Sequence, residues 1–159
     1  LVVGLECFLR KDLLHGSSTR FRAPFTVSYT LTDARFGNTF QSSFEPWGNV
    51  VSGDRIPYIP VHQLNVRASL EGRRGSVSAG VNHVGSMASV TGVSADADDQ
   101  RIPANTVLDM AASYRLDERI ELFAAAQNVL GTVYAVSALP AGWRPGLPRS
   151  LQVGVRATF

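Results

Sequence analysis

The chain has 159 residues, 45% hydrophobic and 18% charged, with 15 Lys and Arg against 13 Asp and Glu for a net charge of +2. That length is one domain or part of a larger one. The apolar content excludes a disordered segment, the charge balance supplies no basic stripe for nucleic acid, and no apolar run approaches the roughly 18 residues of a membrane helix.

Period-two alternation recurs seven times in chain order, which predicts seven strands. Val3, Leu5, Cys7 and Leu9 oppose Gly4, Glu6 and Arg10, with Phe8 as an exception. Phe25, Val27, Tyr29 and Leu31 alternate with threonines and a serine, and Leu64, Val66, Ala68 and Leu70 with Gln63, Asn65, Arg67 and Ser69. Val77, Ala79 and Val81 follow, then Leu108, Met110, Ala112 and Tyr114 opposite Asp109, Ala111, Ser113 and Arg115. Ile120, Leu122, Ala124 and Ala126 oppose Glu121, Phe123, Ala125 and Gln127. Leu151, Val153, Val155, Ala157 and Phe159 oppose Ser150, Gln152, Gly154, Arg156 and Thr158. Successive side chains point to opposite faces of a strand, so each segment has one apolar and one polar or small face.

The connections alternate in length. His15–Ser18, Glu71–Gly75 and Leu116–Glu118 are short turns; roughly Gly37–Pro57, Met87–Pro103 and Gly131–Pro148 are long loops. Together they predict an all-β, antiparallel up-and-down meander. Short turns at one end and long loops at the other are the asymmetry of an outer-membrane barrel, whose strands need about 9–11 residues to cross the hydrocarbon. Single-chain bacterial barrels usually have an even strand count of at least eight, and an open sheet in lipid would leave two unpaired edges. Residues 1–159 are therefore expected to be a fragment supplying the C-terminal strands of a larger barrel, with a beginning cut away.

Several stretches resemble the TonB-dependent outer-membrane receptors of Gram-negative bacteria. They are Arg55 to Leu64, with Pro57 and Pro60; Val107 to Tyr114, with Asp109; Leu122-Phe123 through Gln127-Asn128-Val129-Leu130-Gly131 and Tyr134; Pro145-Gly146-Leu147-Pro148-Arg149; and the terminal Phe159. Val129 stands where the family usually has Leu. The resemblance implies the last seven of 22 strands, long loops outside the cell and short turns in the periplasm. It implies uptake of a scarce solute, most often a ferric chelate or siderophore, with no cofactor and no enzymatic activity. The plug domain and earlier strands would lie upstream, and TonB would be met only through that absent N-terminal region. The Pro57–Leu64 stretch is similar to ferric-citrate-type receptors, which is too little to name a ligand.

Within that reading, Leu5, Leu9, Val27, Tyr29, Leu64, Val66, Val77, Val81, Leu108, Met110, Tyr114, Leu122, Leu151, Val153, Val155 and Phe159 are expected to face outer-membrane lipid. Glu6, Arg67, Asp109, Glu121 and Arg156 are expected to face the lumen, as are Arg10 and Arg115. Phe159 resembles the signal read by the barrel-assembly machinery, or is an interfacial residue. Trp47 and Trp143, near Phe40, Phe44 and Tyr134, are candidate ligand-loop aromatics, although interface or loop packing is the favoured account of them.

Other chemistry finds little support. Asp96, Asp98 and Asp99 do not make an EF-hand, because Arg101 and Val107 stand where the turn glycine and bidentate glutamate belong. His15, His62 and His83 lack metal-ligand spacing, the single Cys7 builds no thiolate site, and no nucleophile or phosphate-cradling motif is present. A soluble β-sandwich binding module and an outer-membrane barrel enzyme are the alternative readings. The sandwich would also alternate, and the enzyme would need Ser, His and Asp gathered at one rim.

Overall fold

The computed structural model describes residues 1–16, 20–92 and 100–159. Its strands in chain order are β1 (Val2–Asp12), β2 (Pro24–Ala34), β3 (Phe40–Gln41), β4 (Asn49–Val50), β5 (His62–Glu71), β6 (Gly75–Val84) and β7 (Met87–Ala88). Then come β8 (Arg101–Ile102), β9 (Asn105–Arg115), β10 (Ile120–Gln127), β11 (Ala135–Ser137), β12 (Arg144–Pro145) and β13 (Ser150–Ala157). No α-helix occurs among the described residues.

The seven long strands, 8 to 11 residues each, form one antiparallel sheet in the order β1-β2-β5-β6-β9-β10-β13. Each long strand is paired to the next long one along the chain, which is the expected up-and-down meander. The three two-stranded sheets, β3–β4, β7–β8 and β11–β12, each belong to one long connection. Two- and three-residue strands carry no readable alternation, so the sequence predicted only loops there.

Register decides which side chains share a face, because residues directly opposed in an antiparallel pair point the same way. Leu9 opposes Val27, Val27 opposes Val66, Val66 opposes Val81 and Val81 opposes Leu108. Nearer the short-turn end Tyr114 opposes Leu122, which opposes Val155, and toward the long-loop end Ala126 lies between Met110 and Leu151. Every strand position expected to face lipid, Phe159 apart, thus lies on one continuous apolar face. A second set of rows fills the opposite face. Arg10, Thr26, Arg67, Gly80 and Asp109 are opposed in turn, and Arg115 and Arg156 flank Glu121.

Phe8 opposes Ser28, and Phe123 opposes Ser113 and Gly154, so two aromatic rings stand on the polar face. His62 opposes Leu31 and His83 opposes Leu64, which puts both imidazoles on the apolar face at its long-loop edge. There the Tyr29 hydroxyl lies 2.8 Å from His62 Nδ1, and His83 Nδ1 lies 2.8 Å from Thr106 Oγ1. These polar pairs close the apolar band at that end.

Two boundaries differ from expectation. Strand β13 ends at Ala157, so Phe159 lies two residues past it and fully exposed rather than on the strand. The chain still follows the sheet as far as Thr158, whose N–H donates to the Arg119 carbonyl at 2.9 Å. The first turn is longer than its His15-Gly16 signal suggests. It runs from Asp12 to Pro24, and the Asp12 carboxylate holds it by accepting from the Leu14 and Ala23 N–H groups (3.2 and 2.9 Å) and from Arg22 Nε (3.3 Å).

The sheet's apolar face has no cover. Leu5 is 54% exposed, Leu151 70% and Val153 75%. The buried residues collect elsewhere. Ala34, Val50, Ile102, Val107, Ser89 and Asn128 are buried, as are Pro46, Pro57 and Pro60, all at the long-loop end.

Candidate functional site: the long-loop end

The first long loop continues the sheet before it folds over. The Ile56 N–H donates to the Ala34 carbonyl at 3.0 Å, and Phe36 and the Gly53–Asp54 segment exchange bonds of 2.9 Å. Beyond them the β3–β4 hairpin closes around Trp47. Phe36, Phe40 and Phe44 each meet the indole edge-on, with centroids 5.3, 6.1 and 5.6 Å away. Such edge-to-face pairs contribute roughly 0.5–1.5 kcal/mol each beyond area burial. Trp47 is therefore the anchor of its own loop. Trp143, in the β11–β12 hairpin, is half exposed and has no ring partner among the described residues.

Tyr58 ties the three loops together. Its N–H donates to the Ala88 carbonyl (2.9 Å) in the second loop, and its hydroxyl accepts the Leu139 N–H (3.0 Å) of the third. It takes a φ of 61°, a left-handed conformation uncommon for a large side chain, which is tolerated where surrounding contacts over-determine it. The Thr91 N–H donates to the Pro46 carbonyl at 3.0 Å, and the Thr91 hydroxyl to the Trp47 carbonyl.

Asn128 does the same for the last two long strands. Its amide nitrogen donates to the Thr132 and Leu147 carbonyls (2.9 and 3.0 Å), its side-chain oxygen accepts the Thr132 N–H (2.9 Å), and its own N–H donates to the Asp109 carboxylate (2.9 Å). Buried to 1% exposure with a φ of 48°, it occupies a left-handed position that asparagine reaches more readily than most residues. Gly131 (φ 67°) follows, and a Cβ there would sit 2.7 Å from the Arg149 guanidinium. The Tyr134 ring covers Gly146 so closely that any side chain would collide with it, and the Tyr134 hydroxyl accepts the Leu147 N–H at 3.2 Å. Asp109, Asn128, Gly131, Tyr134, Gly146 and Arg149, scattered over forty positions of sequence, thus form one structural knot where β10 leaves and β13 enters the sheet. Sequence reasoning singled them out as motif fragments and missed what they build; the signal was the set of Asn, Gly and Pro positions around Tyr134.

Besides a recess of about 440 Å³ against the Asn128–Tyr134–Gly146 knot itself, three more open at this end. One of about 360 Å³ lies between the first and second loops, with Arg35, Asp54, Arg55 and Arg101 in its wall. Arg35 Nε contacts Asp33 at 3.0 Å and Arg55 reaches it at 4.0 Å. Another of about 400 Å³ lies between the first and third loops, against Phe44, Tyr58 and Leu139. A third of about 320 Å³ is bounded by polar-face residues Asn82, Asn105, Asp109 and Gln127 below the third loop.

The remaining candidates are scattered. Glu121 and Arg156 pair at 2.9 Å across β10 and β13, and the Arg156 guanidinium lies over the Phe123 ring. Glu6 and Arg67 make no ion pair among the described residues. Cys7 is exposed, and His15 sits in a short turn far from His62 and His83. Asp96, Asp98 and Asp99 lie outside the described residues. No group of His, Cys, Asp and Glu capable of holding a metal occurs among those described. Among the described residues no helix is long and apolar enough to cross a membrane, which says nothing about a barrel.

The family model described as TonB dependent receptor-like, beta-barrel matches residues 9–129. The chain belongs to this family of TonB-dependent receptor β-barrels. Similar solved structures include the siderophore receptor PiuA of Acinetobacter baumannii, 16% identical with a TM-score of 0.75 over 98% of this chain and 21% of that one. The ferric enterobactin receptor PfeA of Pseudomonas aeruginosa, as a double mutant, is 16% identical with a TM-score of 0.67 over 99% and 22%. The ferric-catecholate import receptor Fiu of E. coli K12, in its closed form, is 16% identical with a TM-score of 0.59 over 99% and 27%. The chain thus spans about a quarter or less of the length of these receptors. No curated protein matches it.

Proposed function

We propose that these residues are the C-terminal strands of the barrel of an outer-membrane receptor that takes up a ferric chelate in a Gram-negative bacterium. The observation that carries the reading is the single apolar face, continuous across seven strands and uncovered. Several leucines and valines there are more than half exposed, a patch that a water-soluble monomer rarely tolerates. Lipid is the solvent that fits it. Leu5, Leu9, Val27, Tyr29, Leu64, Val66, Val77, Val81, Leu108, Met110, Tyr114, Leu122, Leu151, Val153 and Val155 then meet hydrocarbon, while Glu6, Arg67, Asp109, Glu121 and Arg156 line the lumen. Strands β1 and β13, the sheet's edges, pair with further strands of the complete barrel, because an unpaired edge in hydrocarbon costs several kcal/mol per polar group.

The long loops take up ligand on the outer surface. Arg35, Arg55 and Arg101 against the single Asp54 leave one recess with an excess of positive charge that suits the negative charge of a ferric catecholate, and relatives of the same fold include a receptor solved in complex with enterobactin. Strand assembly depends on the barrel-assembly machinery, for which the exposed Phe159 is the candidate signal. The plug and its TonB contact belong to an N-terminal region, and such uptake asks of the described residues no chemistry on the ligand.

The test is growth and uptake. Cells lacking the complete gene should fail to accumulate radiolabelled iron from one class of chelate under iron limitation and recover with the gene restored. The receptor should appear in the outer-membrane fraction and migrate faster unheated than boiled. Unchanged uptake of every chelate tried would remove the ligand assignment, and recovery in a detergent-free soluble fraction would remove the membrane one.

A further inference from the structure

The short-turn end holds a feature that ligand uptake does not use. A depression of about 740 Å³ lies there, walled almost wholly by carbon. The two-residue hairpin Arg73-Arg74 is closed by the pair Gly72 and Gly75, linked by a 2.8 Å bond from the Gly72 N–H to the Gly75 carbonyl. By register this glycine pair continues the apolar face, one step beyond Leu70 and Val77. Neither glycine has a side chain, and an aromatic ring stands over each. A Cβ on Gly72 would come within 2.8 Å of the Phe21 ring, and one on Gly75 within 3.1 Å of the Tyr114 ring. Val77, Ala112, Ala124 and Val153, opposed in turn across four strands, make one row of the depression's floor, and Leu122 lies beside Tyr114. The result is an apolar slot leading to the hairpin.

Charge at the slot's mouth is one-sided. Arg73 and Arg74 both border it and form no ion pair among the described residues. No acidic residue lines the depression, and three acids of this end are engaged elsewhere. Asp12 and Glu71 lie 3.3 and 3.9 Å from Arg22, and the Asp117 carboxylate accepts the Arg119 and Ile120 N–H groups, both at 2.8 Å. The 2.6 Å bond from the Arg115 N–H to the Arg74 carbonyl fixes the hairpin against the neighbouring turn. Two arginines bordering an open apolar depression match a molecule with a hydrocarbon tail and an anionic phosphate head, since guanidinium presents paired donors in the geometry of a phosphate.

We propose that this slot retains an anionic glycerophospholipid from the membrane leaflet on the short-turn side, its acyl chain between Phe21 and Tyr114 and its phosphate on Arg73 and Arg74. The inference rests on the membrane reading above, since only then does lipid reach this face. A bound lipid would fix the depth of the barrel and shield the hairpin's glycine pair.

The test uses the complete receptor, purified in mild detergent, stripped of lipid and given phosphatidylglycerol or phosphatidylcholine before native mass spectrometry. Wild type should keep a phosphatidylglycerol adduct and discriminate against phosphatidylcholine. The double variant Arg73→Gln/Arg74→Gln should lose that adduct by about tenfold or more, at roughly 1 kcal/mol per cation facing an anionic surface. Filling the slot with Ala112→Trp should lower both adducts, whereas Arg144→Gln at the other end should change neither. Equal retention by wild type and the double Gln variant would overturn the proposal, as would a dimer that seals the slot without lipid. Gel migration, unheated against boiled, keeps the two readings apart. A receptor that still shifts on heating but holds no lipid refutes the slot alone, whereas one that needs no detergent refutes the membrane assignment as well.

Discussion

The sheet and the long-loop end are built on opposite physical terms. Along the seven strands the described side chains have almost no interior, and the ladder of backbone hydrogen bonds is what holds neighbours together. At the loop end Val50, Ile102 and Asn128 are buried as deeply as any core; hydrogen bonds through Tyr58 cross from loop to loop, and those of Asn128 close the third loop on itself and onto β9. The contrast shows which part depends on its surroundings. On the proposed reading the sheet takes its missing half of the packing from lipid and neighbouring strands, whereas the loop end brings its own.

Breaking the loop end should have the largest effect. Asn128→Ala removes three side-chain hydrogen bonds in a buried site and strains a left-handed position, a loss of about 3–5 kcal/mol. Urea-induced unfolding of the receptor from lipid vesicles would read it, and a loss under 1 kcal/mol would mean the knot is ornamental. Val81→Arg, in the middle of the apolar face, should cost about 2–4 kcal/mol in the same assay, while Asn82→Arg beside it on the polar face should cost far less. Equal costs would erase the distinction between the faces.

Smaller changes sharpen the comparison. Tyr58→Phe should leave the sheet untouched and cost about 1 kcal/mol, with faster hydrogen exchange confined to Leu139 and its loop; exchange rising evenly through the sheet would contradict a loop-only role. Glu121→Gln breaks an ion pair whose Arg156 side is largely exposed and should change stability by under about 1 kcal/mol. A larger loss would mean that this pair is buried against something in the complete protein.

The same contrast explains what was legible in the sequence. Alternation is a local property, so the seven strands, their faces and their order follow from residues such as Leu151, Val153 and Val155 without any knowledge of partners. The loop end depends on contacts between distant positions, such as Tyr58 with Leu139 or Asn128 with Leu147. Nothing in either neighbourhood announces its partner. The three hairpins were unreadable because strands as short as β3 or β12 show no period. Trp47 was visible as an aromatic near a loop, but its packing role required knowing that Phe36, Phe40 and Phe44 converge on it. The family resemblance was read from Arg55 onward, whereas the family model matches residues 9–129. The earlier strands therefore carry more of the family pattern than their plain alternation revealed.

The central claim is that one face of the sheet meets hydrocarbon and the other meets water. Single spin labels at Asn65, Val66, Arg67, Gly80, Val81 and Asn82 of the receptor in vesicles, with Cys7 replaced by Ser, test it by relaxation with oxygen and with a water-soluble nickel chelate. Val66 and Val81 should collide mainly with oxygen, and their neighbours on either side mainly with nickel. Uniform accessibility along both segments, or the reverse alternation, would contradict the account.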